Sequence, residues 1–466
     1  MADASPTAIL EGLWRVAGLA PEALPALRLT GEEPALPSSF RIGAAAQASI
    51  GAAAAAAAAV HRARGGAAQA VSVGMRHAAL AFLSERYLAL EGGEAGARWD
   101  AIAGTYPCGD GRTVRLHTNF PHHRAGTLRL LGCEGSRAAV GAALRGWEAF
   151  AFEQAAAEAG LCVAAMRSFA EWDAHPQGQA VAALPPVRVE RIGEAPPRPL
   201  PPAGARPLEG IRVLDLTRVI AGPVCGRTLA AHGAEVLHVS AAHLPSFDEL
   251  VVDTGRGKRS ASLDLRTAEG ARRLRGLAAA ADVFLQGYRP GAVAGHGFSP
   301  EALAALRPGI VCTSLSAYGE VGPWGGRRGF DSLVQTASGF NHAEAAAAGS
   351  LPEPRVLPCQ ALDHASGYLL AFGTLAALLR RAEEGGSWLV RVSLAGTAQW
   401  LRGLGRIADG FGVPVPAMAE LDGLLETGES GFGRLTAMRE AGRPEATPPF
   451  WALPSVPLGT HPAEWA

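Results

Sequence analysis

The sequence of 466 residues lacks an excess of either charge and lacks closely spaced cysteines. Its formal net charge is −1 at pH 7, so it offers no basic field for nucleic acid and no acidic tail. The 6 cysteines lie far apart without a CxxC pair, which argues against disulfides and against a zinc site. We therefore expect buried free thiols in a reducing compartment, no metal and no nucleic-acid partner.

The start of the sequence also predicts no secretory signal. The first residues, MADASPTAILEGLWRVAGL, contain no basic segment followed by an apolar core. Residues 42–60 carry no charge, but they are mostly alanine and include Gln47 and Ser49, so their transfer into a bilayer would gain little. We expect a packed helix of a soluble protein here, no association with a membrane, and a cytoplasmic location.

GxGxxG, Walker A and GxSxG motifs are absent, yet the C-terminal part alternates strands and helices. Short apolar runs at 211–217, 234–240, 282–287 and 309–319 predict buried strands, and helical patterns separate them. This alternation predicts an α/β fold with a doubly wound parallel sheet. The segment TRVIAGPVCG follows the first strand, where ligands bind in such sheets.

A proline-rich stretch, ERIGEAPPRPLPPAGARPLEG, divides the chain and predicts a stiff connector without regular structure. Before it, YPCGDGRTVRLHTN predicts a hairpin, and the neighbouring helical patterns complete a smaller α+β unit. We expect a mainly helical segment (1–90), a small α+β domain (91–189), a linker (190–210), a large α/β domain (211–405) and a C-terminal segment (406–466).

Three cations stand beside predicted strands of the large domain. Lys258 and Arg259 lie in GKRSASLDL, and Arg289 lies in GYRPGAV. Each is either part of a solvated loop or part of a phosphate clamp on a large anionic ligand. Their grouping at strand ends of one sheet favours the clamp.

Three histidines, His117, His122 and His123, occur in the segment HTNFPHHR. No acid or cysteine accompanies them at the spacing of metal ligands. We expect polar loop residues or substrate contacts.

Asp363 stands just before a long apolar helix, where an acid is either an N-cap or a group with a chemical role. A similar segment occurs near residues 55–82: an alanine-rich helical run, glycines, a V-x-V strand and another helix. A shift of 319 residues aligns Val71 with Val390 and places Ala44 opposite Asp363. Only the second segment therefore carries the carboxylate.

The large domain resembles the class III coenzyme A transferases. The resemblance rests on five segments in order: VLDLTRVIAGP, GKRSASLDL, ADVFLQGYRPGAV, SLSAYGEVGPWGGRRGFDSLVQ and the helix after LDHASG. The N-terminal part resembles the small domain of the same family, and ATPPFWALPSVPLGTHPAEW resembles its closing segment. The chain therefore resembles two unequal tandem copies, here called the first repeat (1–189) and the second repeat (211–466).

The resemblance implies what each repeat retains. The first repeat would combine a degenerate remnant of the large domain with a complete small domain. The second would combine a CoA-binding, Rossmann-like large domain with a truncated small-domain segment. Family members form interlocked dimers, so the small domain would close over Asp363 either within one chain or across a homodimer, with one active site per chain.

The resemblance also implies a function: transfer of CoA from an acyl-CoA to a small carboxylic acid through an aspartyl anhydride and an aspartyl-CoA thioester. Asp363 would be the nucleophile, ionised at neutral pH if its pKa is near the reference value of about 3.9. No permanently bound cofactor is implied, since acyl-CoA is the substrate. Contacts to CoA would come from Arg218, Val219, Ala221, Lys258, Arg259, Tyr288, Arg289 and Tyr318.

Two alternatives stay open. Acyl-CoA racemases of the same family carry a histidine where this sequence has Phe330, and a phenyl ring cannot move a proton, although His364 stands beside Asp363. The chain could instead be a CoA-binding protein without activity, which the retention of Asp363 opposes. The sequence also departs from the family at Gly287, where asparagine is common, and at Gly295, where a phosphate-binding arginine can stand.

Overall fold

A computed structural model describes residues 5–91, 93–94 and 99–466. The helices are α1 (Pro6–Val16), α2 (Ile42–Ala63), α3 (Met75–Ala81), α4 (Pro121–Leu131), α5 (Arg137–Leu144), α6 (Ala149–Glu158), α7 (Phe169–Ala174), α8 (Pro176–Ala182), α9 (Ala221–Ala231), α10 (Asp248–Thr254), α11 (Ala268–Ala279), α12 (Pro300–Leu306), α13 (Asp331–Ala337), α14 (Phe340–Ala348), α15 (Ala361–Glu384) and α16 (Leu394–Gly403). The strands are β1 (Leu27–Thr30), β2 (Val71–Gly74), β3 (Ala89–Leu90), β4 (Gly93–Glu94), β5 (Gly104–Pro107), β6 (Thr113–Leu116), β7 (Val163–Ala165), β8 (Arg188–Gly193), β9 (Arg212–Leu216), β10 (Glu235–Ser240), β11 (Lys258–Ser262), β12 (Val283–Gln286), β13 (Val311–Ser316), β14 (Ser387–Ser393), β15 (Leu425–Ser430), β16 (Gly433–Met438) and β17 (Arg443–Pro444).

The largest sheet has seven strands in the order β11-β10-β9-β12-β13-β14-β8. The first six strands in this order are parallel, with helices between them along the chain, which confirms the predicted doubly wound sheet. Ser299 caps α12, as expected, because its hydroxyl accepts a hydrogen bond from the backbone of Ala302. The strand order reverses between β9 and β12, and ligands bind beyond the carboxyl ends of strands at such a point.

The seventh strand corrects the predicted start of the linker. Residues 188–193 form β8, which pairs antiparallel with β14 at the edge of the sheet. The segment RVERIG contains no proline, and its valine and isoleucine favour a strand. Regular structure is therefore lost only from residue 194, shortly before the prolines begin.

The internal repeat is confirmed in the structure. A shift of 319 residues carries the first residue of α2 onto the first residue of α15, and the first residue of α3 onto that of α16. α2 and α15 pack against each other, and every residue of α2 from Ile42 to His61 is buried. Both helices are long and apolar enough to cross a membrane by length and composition, but both lie inside the protein, as helices of a folded core do.

The small domain has its own antiparallel sheet, β5-β6-β7, and its own apolar core. The hairpin predicted for residues 106–119 is confirmed as β5 and β6. The C-terminal segment forms the hairpin β15–β16, pairs with β3, and then runs along the large domain. There Trp451 donates a hydrogen bond from its indole to the carbonyl of Arg227, and Trp465 donates to Leu277.

Arg64, at the end of α2, holds the connector against the protein. Its Nε donates to the carbonyl of Pro201 at 2.7 Å, and one of its terminal nitrogens donates to Pro202 at 2.6 Å and to Glu209 at 2.8 Å. The other terminal nitrogen donates to Pro207. Prolines have no backbone N–H of their own, but their carbonyls are good acceptors, so one guanidinium orders the whole segment.

We expect Arg64→Ala to lower the free energy of unfolding by about 2–4 kcal/mol, because several buried carbonyls lose their donor. Residues 194–210 should then be cleaved faster in limited proteolysis. Arg62→Ala is the control, since this exposed arginine makes one contact of 3.4 Å, to Glu22. An equal loss of stability in urea unfolding of both variants would contradict the assignment.

Candidate functional site

Asp363 lies in the first turn of α15 and is 8% exposed. It does not cap its own helix. The carboxylate of Asp331, the first residue of α13, accepts hydrogen bonds from the backbone N–H of Leu362 at 2.7 Å and of Asp363 at 2.9 Å. Within the described ranges 5–91, 93–94 and 99–466, the Asp363 carboxylate itself has no ion pair and no hydrogen bond. The structure therefore favours a chemical role for Asp363 over a capping role.

The environment of Asp363 opposes its ionisation. Burial raises the pKa of the Asp363 carboxyl well above its usual range, and the carboxylates of Asp331 and Glu85 raise it further. Burial likewise raises the pKa of Asp331, although the two backbone hydrogen bonds and one from Gln335 oppose this. The expectation that Asp363 ionises like a free aspartate is not supported. Its ionised form accumulates only as the pH rises through the raised value.

A cavity of about 360 Å³, here called the large cavity, opens beside Asp363 at the point where the strand order reverses. The loop after β9 and the loop after β12 form its walls. Five predicted site residues line it together with Asp363: Arg218, Val219, Ala221, Tyr288 and Arg289. The structure therefore brings these residues together, as the resemblance implied.

The large cavity is rich in cations. Arg218, Arg289, Arg327 and Arg328 all line it. Within the described part of the chain, the guanidinium groups of Arg289 and Arg328 have neither an ion pair nor a hydrogen bond. Guanidinium groups without a partner are suited to bind phosphate, often through paired hydrogen bonds.

Arg327 and Arg328 were not identified from the sequence as binding residues. They occur in GGRRGFD, immediately before Asp331, so the adjacent arginines were a signal that could have been used.

A second cavity, of about 80 Å³ and here called the small cavity, also opens onto Asp363. Trp99, His117 and Asn119 of the small domain line it, so this domain closes over Asp363 within one chain. The imidazole ring of His117 stacks on Phe330, with 3.8 Å between ring centroids. Asp363 thus stands between a cation-rich cavity and a smaller one walled by aromatic rings.

Val219 has a strained backbone at the boundary of the two cavities. Its φ is 73°, in the left-handed region that a β-branched residue rarely adopts. Val219 lines both the large and the small cavity, immediately before α9. Strain of this kind persists where the surroundings enforce it, and it clusters at functional sites.

The structure separates Lys258 from Arg259, and their role in binding phosphate stays a prediction. Nζ of Lys258, the only lysine of the sequence, is buried and donates to Asp215 at 2.8 Å and to the carbonyl of Pro223 at 2.9 Å. Side chains alternate along a strand, so Arg259 points away from this pair and donates to the carbonyl of Glu464. The two cations are neighbours in sequence but contact different groups.

Tyr318 is also placed differently from the expectation. It is 2% exposed, and its ring packs edge-on against Trp324 with 5.0 Å between ring centroids. The preceding residue, Ala317, lines the large cavity. Tyr318 follows the end of β13 and is buried next to a residue that lines the large cavity, but it does not line that cavity itself.

The predicted histidines all lie near the cavities. His122 and His123 line the large cavity, and His117 lines the small one. Burial lowers the pKa of His123 to about 4 and that of His117 to about 3, with smaller contributions from neighbouring cationic groups. Both imidazoles are therefore neutral at physiological pH. Their role as substrate contacts stays a prediction.

The corresponding position in the first repeat is closed. Ala44 stands at the position of Asp363, and the Glu33 carboxylate accepts a hydrogen bond of 2.7 Å from its backbone N–H. Ala44 is fully buried, and a side chain at the neighbouring Gly43 would approach Glu33 to 2.8 Å and both Ala35 and Met75 to 2.9 Å, so the start of α2 is closely packed. An acid accepts hydrogen bonds at the helix start in both repeats, but only the second repeat carries a carboxylate at the position of Asp363.

Comparison with known proteins agrees with this geometry. The sequence model of CoA-transferase family III matches residues 23–197 and 208–411 of the chain. The break between the two matches falls within the proline-rich connector. Two separate matches on either side of the connector are consistent with a tandem fusion.

Individual relatives are similar to part of the chain. A probable fatty acyl-CoA transferase of Mycobacterium tuberculosis, Rv3272, is 35% identical over 232 residues, which are 46% of this chain and 58% of that protein. The succinyl-CoA:glutarate CoA-transferase of Mus musculus is 34% identical over 193 residues, 39% of this chain and 43% of that protein. The crystal structure of Rv3272 matches 42% of this chain and 56% of that chain, at 36% identity and a TM-score of 0.40. The chain spans about half the length of these curated relatives.

We expect Asp331→Ala to lower the free energy of unfolding by about 2–4 kcal/mol, because two buried N–H groups at the start of α15 lose their acceptor. Asp331→Asn keeps a carbonyl acceptor at the same place, so its loss should be less than half as large. Urea unfolding monitored by circular dichroism measures both. Equal losses would show that the acceptor at residue 331 does not organise this helix start.

Proposed function

Because the chain belongs to family III of the CoA-transferases, we propose that it moves coenzyme A from an acyl-CoA to a free carboxylic acid, with Asp363 as the nucleophile. One observation carries this proposal. The Asp363 carboxylate has no partner of its own in the described structure and faces both cavities, while Asp331 performs the capping of α15. A buried carboxylate kept free at a cavity junction is suited to attack a bound thioester.

The proposed reaction proceeds by acyl transfer to the side chain. Asp363 attacks the thioester carbonyl, the carbon–sulfur bond breaks, and the CoA thiolate leaves with the electron pair. The thiolate then attacks the Asp363 carbonyl of the mixed anhydride, and the donor acid leaves as its carboxylate. The acceptor carboxylate enters by the same steps in reverse. Dividing one difficult exchange into several easier ones is the advantage of covalent catalysis.

The two cavities suggest that different parts of the acyl-CoA bind in different places. The large cavity, with the unpartnered Arg289 and Arg328, is proposed to hold the anionic CoA portion. The small cavity is proposed to hold the acyl group, since aromatic rings line it and Asp363 stands at its mouth. The helix start of α9 beside Val219 adds backbone N–H groups to the large cavity, and such groups favour anions.

One observation favours a second candidate, an acyl-CoA racemase. His117 stacks on Phe330, the position at which racemases of this family carry histidine, and it lines the small cavity with Asp363. A racemase needs an effective base, however, and burial lowers the pKa of His117 to about 3, which makes its imidazole a weak one. Uptake of deuterium at the α-carbon without acyl exchange would support the racemase over the transferase.

We expect Asp363→Ala to lower acyl exchange by at least about a thousandfold, because the covalent intermediate can no longer form. Asp363→Asn, which keeps the shape of the side chain, should lose as much while both variants still bind CoA. Hydroxylamine trapping followed by mass spectrometry should find one labelled aspartate per wild-type chain and none in either variant. Appreciable turnover in Asp363→Asn would contradict the covalent role.

We expect the double substitution of Arg289 and Arg328 by alanine to raise the KM for the CoA ester about tenfold to a hundredfold, because two charged hydrogen-bond donors to phosphate are lost. The KM for the free acid should change little. Arg259→Ala is the control, since Arg259 lies outside the large cavity and contacts Glu464. If Arg259→Ala raised the KM for the CoA ester more than the double substitution does, the phosphates would bind near Arg259 on β11 and not in the large cavity.

A further inference from the structure

Glu85 comes from the first repeat and lies beside the first turn of α15. It follows α3, is 4% exposed, and its Oε2 lies 2.9 Å from Nε2 of His364. His364 is fully buried, and its ring stacks on Phe82 of the first repeat with 5.5 Å between ring centroids. Two contacts from the first repeat therefore hold the residue that follows the nucleophile.

Glu85 also lines the small cavity onto which Asp363 opens. Two groups lie near the Glu85 carboxylate: Nε2 of His364 at 2.9 Å, and Nε of Arg86 at 3.5 Å, whose side chain is half exposed. Arg115 opposes the raised pKa of Asp331. Among the described residues, the titratable and charged groups near Asp363 on the side of the small cavity are Asp331, Glu85, Arg86, Arg115, His117, Glu249 and His364. On the side of the large cavity they include Arg218, Arg289, Arg327, Arg328, His122, His123 and Tyr288.

We propose that Glu85, held by His364, is a positioning residue that keeps a fixed negative charge against the Asp363 carboxylate and thereby favours its acylation. The inference rests on the proposed function. It assigns to the first repeat a direct part in the reaction of the second, although the first repeat has no nucleophile of its own.

The chemistry of the first step explains the effect. A bond forms between Oδ of Asp363 and the acyl carbon, the carbon–sulfur bond breaks, and the negative charge leaves with the CoA sulfur. Asp363 is uncharged in the anhydride and in the aspartyl-CoA thioester. Repulsion from Glu85 therefore acts on the ionised carboxylate, which is the starting state above the raised pKa of Asp363, and is absent from both intermediates. An interaction that is unfavourable only before the reaction lowers the barrier from that starting state.

Glu85→Gln tests the proposal, because it removes the charge and can keep the contact with His364. In single-turnover CoA release, the acid limb of the pH profile should move about one pH unit toward lower pH, and the aspartyl-CoA trapped at equilibrium should fall several-fold. Glu32→Gln is the control: this acid belongs to the same repeat, is exposed, and lines neither the small nor the large cavity. An unchanged profile for Glu85→Gln, or an equal shift for Glu32→Gln, would overturn the proposal.

A second measurement does not depend on activity. At about pH 9, Glu85→Gln should raise the melting temperature when Asp363 is present and should not raise it in the Asp363→Asn background, because the repulsion needs both charges. Additive effects in this double-mutant cycle would overturn the proposal. The two tests can also disagree. If the double-mutant cycle shows a clear coupling but the wild-type protein shows no acyl exchange, the proposed function is rejected and the charge interaction between Glu85 and Asp363 stands.

Discussion

The packing of α2 against α15 is the contact on which the rest of the structure depends. α15 carries Asp363 in its first turn, and α2 supports this helix from the first repeat along a buried, alanine-rich face. Helix axes approach more closely when the contacting side chains are small. The same contact brings Phe82 against the rings of His364 and Tyr368, which orients the loop that carries Glu85. The first repeat therefore supports the helix that carries Asp363.

A buried ionic cluster joins that loop to the large domain. Asp253 of α10 pairs with Arg227 and, at 2.6 Å, with Arg256, and it accepts a hydrogen bond of 2.7 Å from Ser84. Although burial disfavours its charge, the two arginines hold the pKa of Asp253 below its usual range. Removing one member of such a cluster leaves an unpaired buried charge and costs about 3–5 kcal/mol. The cluster therefore fixes the relative position of the repeats close to the site.

Unfavourable features are concentrated at the cavities. Val219 adopts a left-handed backbone, Asp363 is buried near two other carboxylates, and Arg289 and Arg328 lack partners in the described chain. Each of these features lowers stability, and features of this kind cluster at functional sites. The surrounding core and the ionic cluster offset the loss. The geometry of the site is thus maintained by the surrounding core and the ionic cluster more than by contacts among the residues that line the cavities.

By itself, the sequence determined the alternating strands and helices of residues 211–319 and the shift that relates the repeats, because both depend on local periodicity. It also singled out Asp363 as the acid present in one repeat only. Tertiary structure decided the rest. Lys258 and Arg259 are adjacent in the chain, yet alternation along β11 separates them. Glu85 contacts a residue 279 positions away, and nothing local marks such a partner, since contacts between distant segments arise only when the chain has packed.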